Sequence, residues 1–242
     1  MSFRAFVLGA PVVIVAFGAA GCPPASLIGQ PCAVAGDDPC EGDAQLRCDG
    51  QVYVKLADCA VKCRGDVPLV THTAGIISSD ETWTCEDGPH LVSGVITVAN
   101  DVTLTILAGT QVRLDPASRI NTELAGRIDA LGDPNANILL TSQNGEKPGF
   151  GAGGEGGLNV LAVDTGEPSR LENTIVERGT HGIGVFGLSD DATPPVIDGC
   201  TLRDNEEFGL LLGCNGTPEL PDFVTGNNFF GNGTDISECN PQ

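Results

Sequence analysis

The residues best suited to chemistry are arginines and carboxylates in the second half of the chain. They are Arg127, Asp129, Arg170, Glu172, Glu177, Arg178, Asp198, Arg203 and Asp204. Eliminative cleavage of an acidic polysaccharide needs a strong base and neutralisation of the substrate's carboxylate, which Ca²⁺ held by protein carboxylates can supply. Glycoside hydrolysis needs two carboxyl groups about 5 to 10 Å apart. A soluble surface also needs charges at such positions. We therefore predict an exposed ladder of ion pairs, in which Arg203 and Asp204 lie beside Glu177 and Arg178, and no catalytic residue.

The histidines and the large aromatic residues give no stronger signal. His72, His90 and His181 lie far apart, and none has a serine or cysteine partner in a recognisable nucleophile motif. We predict that each is a surface or turn residue. A single tryptophan, Trp83, and a single tyrosine, Tyr53, argue against an aromatic platform for sugars. Trp83 is predicted to cap the first turn of the fold.

No pattern indicates a metal site or a cofactor. Cys59 and Cys63 have a zinc-like spacing, but no second matched pair accompanies them. Loop carboxylates such as Asp190 and Asp191 leave divalent-cation binding as a weaker alternative, because the Asp-x-Asp-x-Asp loop with its turn glycine is missing. We predict no cofactor and no metal.

The charge excludes several classes of partner. The chain has 32 acidic residues against 12 lysines and arginines, a net charge of −20. Such a surface repels the phosphates of nucleic acids, anionic membrane surfaces and polyanionic substrates. The acids are scattered rather than clustered, which is typical of a solvated surface. Nucleic acid is therefore not an expected partner.

The N-terminus predicts export. Residues 5–18 are almost wholly apolar and follow Arg4, but the run is shorter than the roughly 20 residues of a membrane-spanning helix. Ala19-Ala20-Gly21-Cys22 comes next and resembles the lipobox of bacterial lipoproteins. That resemblance implies that Cys22 is lipidated, becomes the mature N-terminus and is the membrane anchor. Ordinary signal cleavage after Ala20 is the alternative.

Cysteine usage also fits an oxidising compartment, where disulfides persist. Apart from Cys22, the disulfide candidates are Cys32, Cys40, Cys48, Cys59, Cys63, Cys85, Cys214 and Cys239. With Cys200 the cysteines other than Cys22 number nine, so at least one of them is unpaired. Cys200 occupies an inward position of the repeat described next, so we predict a buried free thiol there. We pair Cys214 with Cys239, and we expect Cys85 to bridge to the N-terminal cysteine-rich segment.

The C-terminal third contains one pattern three times, at nearly constant spacing. The three copies are Leu171, Thr174, Val176 and Gly179; Ile197, Cys200, Leu202 and Asn205; and Val224, Asn227, Phe229 and Asn232. A repeat this short cannot bury its own apolar side, so neighbouring copies must stack and share a core. The odd step from Ile197 to Cys200 marks a corner between two strands. Thr174, Cys200 and Asn227 should stack there, with Asn227 hydrogen-bonding to neighbouring backbone.

Between Gly75 and Ser142 the chain is rich in β-branched and alternating runs punctuated by Gly and Pro, which predicts short strands. Ile106 and Ile128 stand in similar contexts, which we interpret as equivalent positions on successive turns of a coil. The segments Trp83-Thr84, Leu104-Thr-Ile-Leu-Ala-Gly-Thr110 and Ile128-Asp-Ala-Leu-Gly132 resemble the right-handed parallel β-helix repeat family, in particular its bacterial surface-protein and lipoprotein members. The resemblance covers residues 75–238. It implies an all-β fold, and it says little about function because one scaffold serves many.

These observations give one organisation. We predict a signal peptide at 1–21, a tether at 22–30, a small disulfide-rich module at 31–70 and a short right-handed parallel β-helix of about six turns at 71–242. The expected function is a non-enzymatic, lipid-anchored envelope protein of the outer membrane, periplasmic or surface-facing. Its role would be structural, adhesive or display, and its exposed loops would be 143–157 and 186–195. The alternative is a polysaccharide-binding or polysaccharide-degrading β-helix.

Overall fold

The structure, a computed structural model, describes residues 40–41, 44–48, 53–58, 69–151 and 156–241. The first three ranges are the strands β1 (Cys40–Glu41), β2 (Ala44–Cys48) and β3 (Tyr53–Asp58), which pair antiparallel in the order β1-β2-β3. The segments at 1–21 and 22–30, with Cys22, lie outside the described residues. So do Cys32, Cys59 and Cys63 and the side chains of Cys40 and Cys48.

From Val70 onward the described chain forms strands that coil round a common axis. In chain order they are β4 (Val70–Ile77), β5 (Glu81–Trp83), β6 (His90–Val98), β7 (Thr103–Leu107), β8 (Gln111–Leu114), β9 (Arg119–Thr122), β10 (Arg127–Leu131), β11 (Ile138–Ser142), β12 (Gly156–Leu161), β13 (Arg170–Glu172), β14 (Thr174–Glu177), β15 (His181–Leu188), β16 (Val196–Asp198), β17 (Thr201–Arg203), β18 (Phe208–Cys214), β19 (Asn228–Phe230), β20 (Thr234–Ile236) and β21 (Asn240–Pro241). These strands pair parallel, and the result is a parallel β-helix of about 6 turns, as predicted.

The coil has three sheet faces. Face 1 has the order β5-β7-β10-β13-β16, face 2 contains β8-β11-β14-β17-β19, and face 3 contains β9-β12-β15-β18-β20 with β21 beside β18. β6 belongs to two faces, because its residues 90–92 pair with β8 while its residues 95–98 pair with β9. The bend lies at Gly94, whose φ of 96° is a conformation that glycine adopts readily. β4 pairs with β6 along both parts.

One row of aliphatic side chains from each face fills the interior. Leu104, Ile128 and Leu171 from face 1 are fully buried, as are Val112 and Leu140 from face 2. Parallel pairing places equivalent side chains of neighbouring turns about 4.8 Å apart, so each row is continuous. Burying one such side chain contributes about 1.5 to 3 kcal/mol, and stacking therefore supplies the core that a single turn lacks.

The register of the first turns differs from the predicted one. Ile128 pairs with Leu104, and Ile106 pairs with Ala130. The predicted equivalence of Ile106 and Ile128 was therefore wrong, and the turn between β7 and β10 is longer than that spacing indicated. A shift by two residues leaves the same side chains pointing inward, so alternation alone could not distinguish the two registers.

The corners of the coil use left-handed backbone conformations at repeating positions. Asn173, Gly199 and Gly226 have φ values of 45°, 64° and 86°, and they occupy the same corner of three successive turns. The corner predicted between Ile197 and Cys200 is therefore present, at Gly199. Arg178, Asp204 and Gly231 follow the same rule at the next corner, with φ values of 67°, 54° and 70°.

Most of the predicted C-terminal repeat is in register. Leu171 pairs with Ile197, and Leu202 pairs with both Val176 and Phe229. The assignment of Val224 to the core was wrong: its side chain is 62% exposed, while Phe223 is buried. The oxygen Oδ1 of Asp222 accepts hydrogen bonds from the backbone N–H groups of Val224 and Thr225 at 2.9 and 3.0 Å, so a turn replaces the expected strand.

The last turns of the coil contain a disulfide and a free thiol. Cys214 and Cys239 form a disulfide, as predicted, with Cα atoms 5.6 Å apart. Cys200 is a buried free thiol inside the coil. Burial raises the pKa of its thiol to about 12, and hydrogen bonds to backbone oppose that rise. The Cys200 side chain is consequently a neutral packing group at any physiological pH.

The small antiparallel sheet lies on face 2. β3 lies against β11, where the outward-facing side chains of Leu139 and Ile175 are buried together with Cys85 in a second apolar cluster. Cys85 thus lies in this outer cluster, rather than in the main interior of the coil. Its predicted bridge to the N-terminal segment involves cysteines outside the described residues.

Candidate functional site

The predicted chemical residues of face 1 lie on its outer side, on neighbouring strands. Asp129 of β10 pairs with Arg170 of β13, and Leu131 pairs with Glu172. Arg127 precedes Asp129 by two residues, so its side chain points to the same side. Parallel pairing thus brings two arginines and two carboxylates into one patch, which we call the face 1 patch (Arg127, Asp129, Arg170, Glu172).

Each arginine of the face 1 patch is neutralised by a carboxylate. Arg127 donates to Asp129 Oδ2 at 2.6 Å and to Glu167 Oε2 at 2.5 Å. Arg170 donates to Glu172. Glu172 also pairs in register with Asp198 of the next turn. Both guanidiniums of the face 1 patch therefore contact a carboxylate, and the charges of the patch compensate each other.

Asp129 differs from the other carboxylates of this patch. The residue is only 7% exposed, and its Oδ1 atom has no hydrogen-bond partner among the described atoms. Burial raises the pKa of Asp129, while the positive charges of Arg127 and Arg170 oppose that shift. A carboxyl group in such surroundings can hold a proton more readily than an exposed one.

A second charged group lies on the outer side of face 2. Glu177 Oε2 accepts from Arg203 Nε at 2.8 Å, and its Oε1 accepts from Thr141 Oγ1 at 2.9 Å. The guanidinium of Arg203 also lies over the Phe230 ring, 5.7 Å from its centroid. Arg178 Nε is 3.9 Å from Glu177.

The predicted pairing of Arg203 with Glu177 is thus correct, but its predicted exposure was wrong. Glu177 and Arg203 are 1% and 3% exposed. An ion pair removed from water in this way is costly to break, because removal of one partner leaves the other charge buried and uncompensated. The pair is consequently a structural feature of the coil, with no access for a substrate.

The prediction that the histidines are surface or turn residues was wrong. His90 and His181 are buried, and His72 is partly buried. His181 stacks on Phe208 with ring centroids 5.3 Å apart. Burial lowers the pKa of His181, and the charge of Glu207 opposes that shift. His72 and His90 contact each other and the buried Trp83 at the first turn.

Alternation could have revealed the inward position of two of these residues. His90 has the same parity as Val92, which pairs with His72, and all three point into the coil. The polarity of histidine does not indicate this inward position.

The two predicted display loops are attached to the coil. In the segment after β11, Gly149 N donates to Arg178 O at 2.7 Å, and Thr180 N donates to Phe150 O at 3.0 Å, while the Phe150 ring is buried in the core. In the segment after β15, Thr193 and Val163 exchange two backbone hydrogen bonds.

The second loop borders an open depression together with residues 219–221. Its lining is mixed in polarity and consists of Ser189, Asp190, Ala192, Pro194, Glu219, Leu220 and Pro221. The two segments are joined where Glu219 N donates to Asp190 Oδ1 at 3.3 Å. Within the described residues, no three His, Cys, Asp or Glu side chains are grouped so as to hold a metal ion.

Two further observations bear on function. In the part of the chain that the structure describes, no helix has the length and apolarity that crossing a membrane requires. Comparison with known proteins finds no matching protein family, no matching curated protein and no matching solved structure.

Proposed function

We propose that this chain is a non-enzymatic cell-envelope protein of the bacterial surface-lipoprotein type, anchored by a lipid on Cys22 and carrying a rigid acidic β-helix with a structural, adhesive or display role. The observation that supports the proposal most directly is the charge pairing of Arg127, Arg170 and Arg203. A catalytic or ligand-binding arginine needs an unneutralised guanidinium aimed at its substrate, and each of these three guanidiniums already contacts a carboxylate.

The anchor and the location rest on the sequence. Cys22 follows Ala19-Ala20-Gly21, and Pro23 stands where an aspartate retains some bacterial lipoproteins at the inner membrane. We therefore place the chain at the outer membrane, periplasmic or surface-facing. The net charge of −20 favours a hydrated surface that stays apart from other polyanions. A polysaccharide or a surface protein is the proposed partner of the display loops.

Two measurements test this proposal. Mass spectrometry of the membrane fraction should give a chain that begins at lipidated Cys22, and the Cys22→Ser variant should leave that fraction. An unmodified chain that begins at Gly21 would refute the anchor. A glycan array probed with the Cys22→Ser protein separates a glycan-binding protein from a spacer, because a spacer gives no binding signal above background on any glycan.

A polysaccharide-degrading enzyme is the second candidate, and Asp129 is the observation that favours it. A buried carboxyl group with a raised pKa and an unpartnered oxygen has the character of a general acid, and Glu172 lies on the adjacent strand. Release of reducing ends from a polysaccharide library is the assay. Activity that is lost in both Asp129→Asn and Glu172→Gln, with folding unchanged, would establish the enzyme and refute the scaffold.

A further inference from the structure

The interior of the first turn contains polar rings where the other turns have aliphatic side chains. His72 of β4 pairs with Val92, His90 of β6 pairs with Val112, and Trp83 of β5 pairs with Ile106, each opposite an inward-facing residue. Trp83 and His90 are buried, and His72 is partly buried. These three residues, the first-turn ring cluster, close the N-terminal end of the core.

The three rings have one specific arrangement. The imidazole centroids of His72 and His90 are 5.2 Å apart with an interplanar angle of 19°, and their nitrogens Nε2 and Nδ1 lie 2.9 Å apart. The two imidazoles therefore lie edge to edge in nearly one plane. Their centroids are 4.2 and 5.0 Å from that of Trp83, at interplanar angles of 28° and 10°. Both imidazoles must cover the same face of the indole, because rings on opposite faces would lie much farther apart.

The contacts with Thr84 and Glu81 indicate where the protons of the neutral cluster lie. His90 Nε2 lies 3.1 Å from the Thr84 carbonyl oxygen, which can only accept, so this nitrogen donates. Neutral His90 then has a lone pair at Nδ1, which accepts the proton of His72 Nε2. Neutral His72 is left with a lone pair at Nδ1, which lies 3.7 Å from Glu81 Oε1. The next proton to enter the cluster therefore goes to His72 Nδ1.

Among the described residues, the elements that surround the cluster carry four carboxylates and one arginine. Glu81 of β5 is the carboxylate that faces His72, and it also accepts from Trp83 Nε1 at 2.7 Å. Asp80 accepts from Thr103 N at 2.9 Å. In the turn before β6, Thr84 Oγ1 donates to Asp87 at 2.7 Å and Glu86 is exposed. On β8, Arg113 pairs with Leu91 on the outer side and donates to Gln111.

We propose that the first-turn ring cluster is an acid-sensitive latch, which holds β4 on the coil at neutral pH and releases it when the imidazoles become protonated. β4 is suited to release. Among the described strands it pairs with β6 alone, and most of its residues are exposed. In the chain, β4 also connects the small N-terminal sheet to the coil, so its release would loosen the attachment of the coil to that sheet.

The direction of the pH effect follows from two facts. Burial lowers the pKa of His72, and the Glu81 carboxylate only partly opposes this shift. A histidine with a lowered pKa in the folded state stabilises that state fully above its unfolded value of about 6.5, and the stabilisation is lost as the pH falls below it. A second proton, on His90 Nδ1, would point at the N–H of His72 and break the bond between the rings.

Trp83 reports on this cluster directly, because it is the only tryptophan of the chain. An imidazolium stacked on an indole quenches its fluorescence, and release of β4 admits water, which shifts the emission to longer wavelength. In the purified full-length protein, we expect the emission to fall and shift in a reversible transition below about pH 6.5. The variant His72→Gln, whose amide still donates to His90 but cannot be protonated, should lose this transition.

Two further variants make the test decisive. His181→Gln removes a buried histidine of β15, outside this cluster, and should keep the wild-type transition. Glu81→Gln keeps an acceptor for Trp83 but removes the charge that favours protonation of His72, so its transition should move to lower pH. The latch is refuted if wild-type emission is constant between pH 8 and 5, if His72→Gln keeps the transition, or if His181→Gln abolishes it.

Discussion

The two ends of the coil close their interiors with different chemistry. At the first turn, imidazoles lie on an indole beside a carboxylate, and their protonation state depends on pH. At the last turns, asparagine amides connect one corner to the next, and a disulfide joins Cys214 to Cys239. Amides do not titrate, and an intact disulfide does not either. The difference indicates that the ring cluster at one end can respond to acid, while the amide links and the disulfide at the other end do not titrate.

The amide connections show how the C-terminal end achieves this. Asn205 Oδ1 accepts from Gly179 N at 3.0 Å, and Asn205 Nδ2 donates to Asn232 Oδ1 at 3.0 Å. Asn227 makes the same kind of link at the other corner, accepting from Cys200 N and donating to Ile197 O, both at 2.8 Å. Each amide thus satisfies backbone groups that the bend leaves without a strand partner.

The largest effect should follow loss of the disulfide. We expect the double variant Cys214→Ser with Cys239→Ser to lose about 3 kcal/mol in free energy of unfolding, because the unfolded chain regains the freedom of a loop. Urea denaturation measures this loss, and hydrogen exchange should show β18 and β20 opening first. Cys200→Ser serves to check that the effect is not general to removal of a cysteine. If hydrogen exchange shows that the double variant opens first at β4, the disulfide does not stabilise the C-terminal end of the coil in particular.

Asn205→Ala should cost about 2 kcal/mol, because the buried Gly179 N–H loses its acceptor. The loss should be the same at pH 8 and at pH 5.5, since no titrating group takes part. Asn215→Ala, in an exposed turn, is the matched control and should change stability by less than about 0.5 kcal/mol. A loss for Asn205→Ala that grows with acidity would remove the contrast between the two ends.

A smaller effect is expected when amide exchange compares both ends of the coil in one experiment. Amide exchange of the wild-type protein, corrected for the intrinsic pH dependence of exchange, should accelerate in β4 between pH 7.5 and 5.5. Protection in β17 and β19 should stay unchanged over this range. If both ends lose protection together, the response is global unfolding and does not arise at the latch.

The smallest effect is expected in the middle of the coil. Asp129→Asn keeps an acceptor for Arg127 and removes a charge that burial disfavours, so stability at pH 7 should change by less than about 1 kcal/mol. Raising the pH from 3 to 6 should destabilise the wild type relative to this variant, because the raised pKa means that charged Asp129 opposes folding. Thermal unfolding across that range measures the difference. The opposite sign would show that Arg127 outweighs burial.

The sequence predicted the stacking better than the register. Leu171, Ile197 and Leu202 were placed correctly because a buried position repeats with the turn. Ile128 was paired with Ile106 because both candidate registers keep the inward face, and similar contexts favoured the wrong one. Val224 was placed in the core because its spacing matched, while the turn formed by Asp222 depends on a local hydrogen bond that spacing does not reveal.

The candidate site was harder to predict for a different reason. Whether Arg203 and Glu177 are exposed depends on the side chains that pack over them, such as the Phe230 ring that lies over Arg203. His72 and His90 lie on different strands, and their contact requires the register of β4 on β6. A repeat predicts which residues pair across neighbouring strands, but it does not predict which side chains cover those residues.

The left-handed corners at Asn173, Gly199 and Gly226 bear on how such a chain changes in length. Since these three turns share one backbone geometry at this corner, a duplicated stretch of one such turn would meet a complete set of backbone partners on both sides. Growth or loss is then tolerated only in whole turns, because a partial copy would leave a corner without its left-handed residue. The coil can thus vary in length by discrete steps while both of its ends keep their own chemistry.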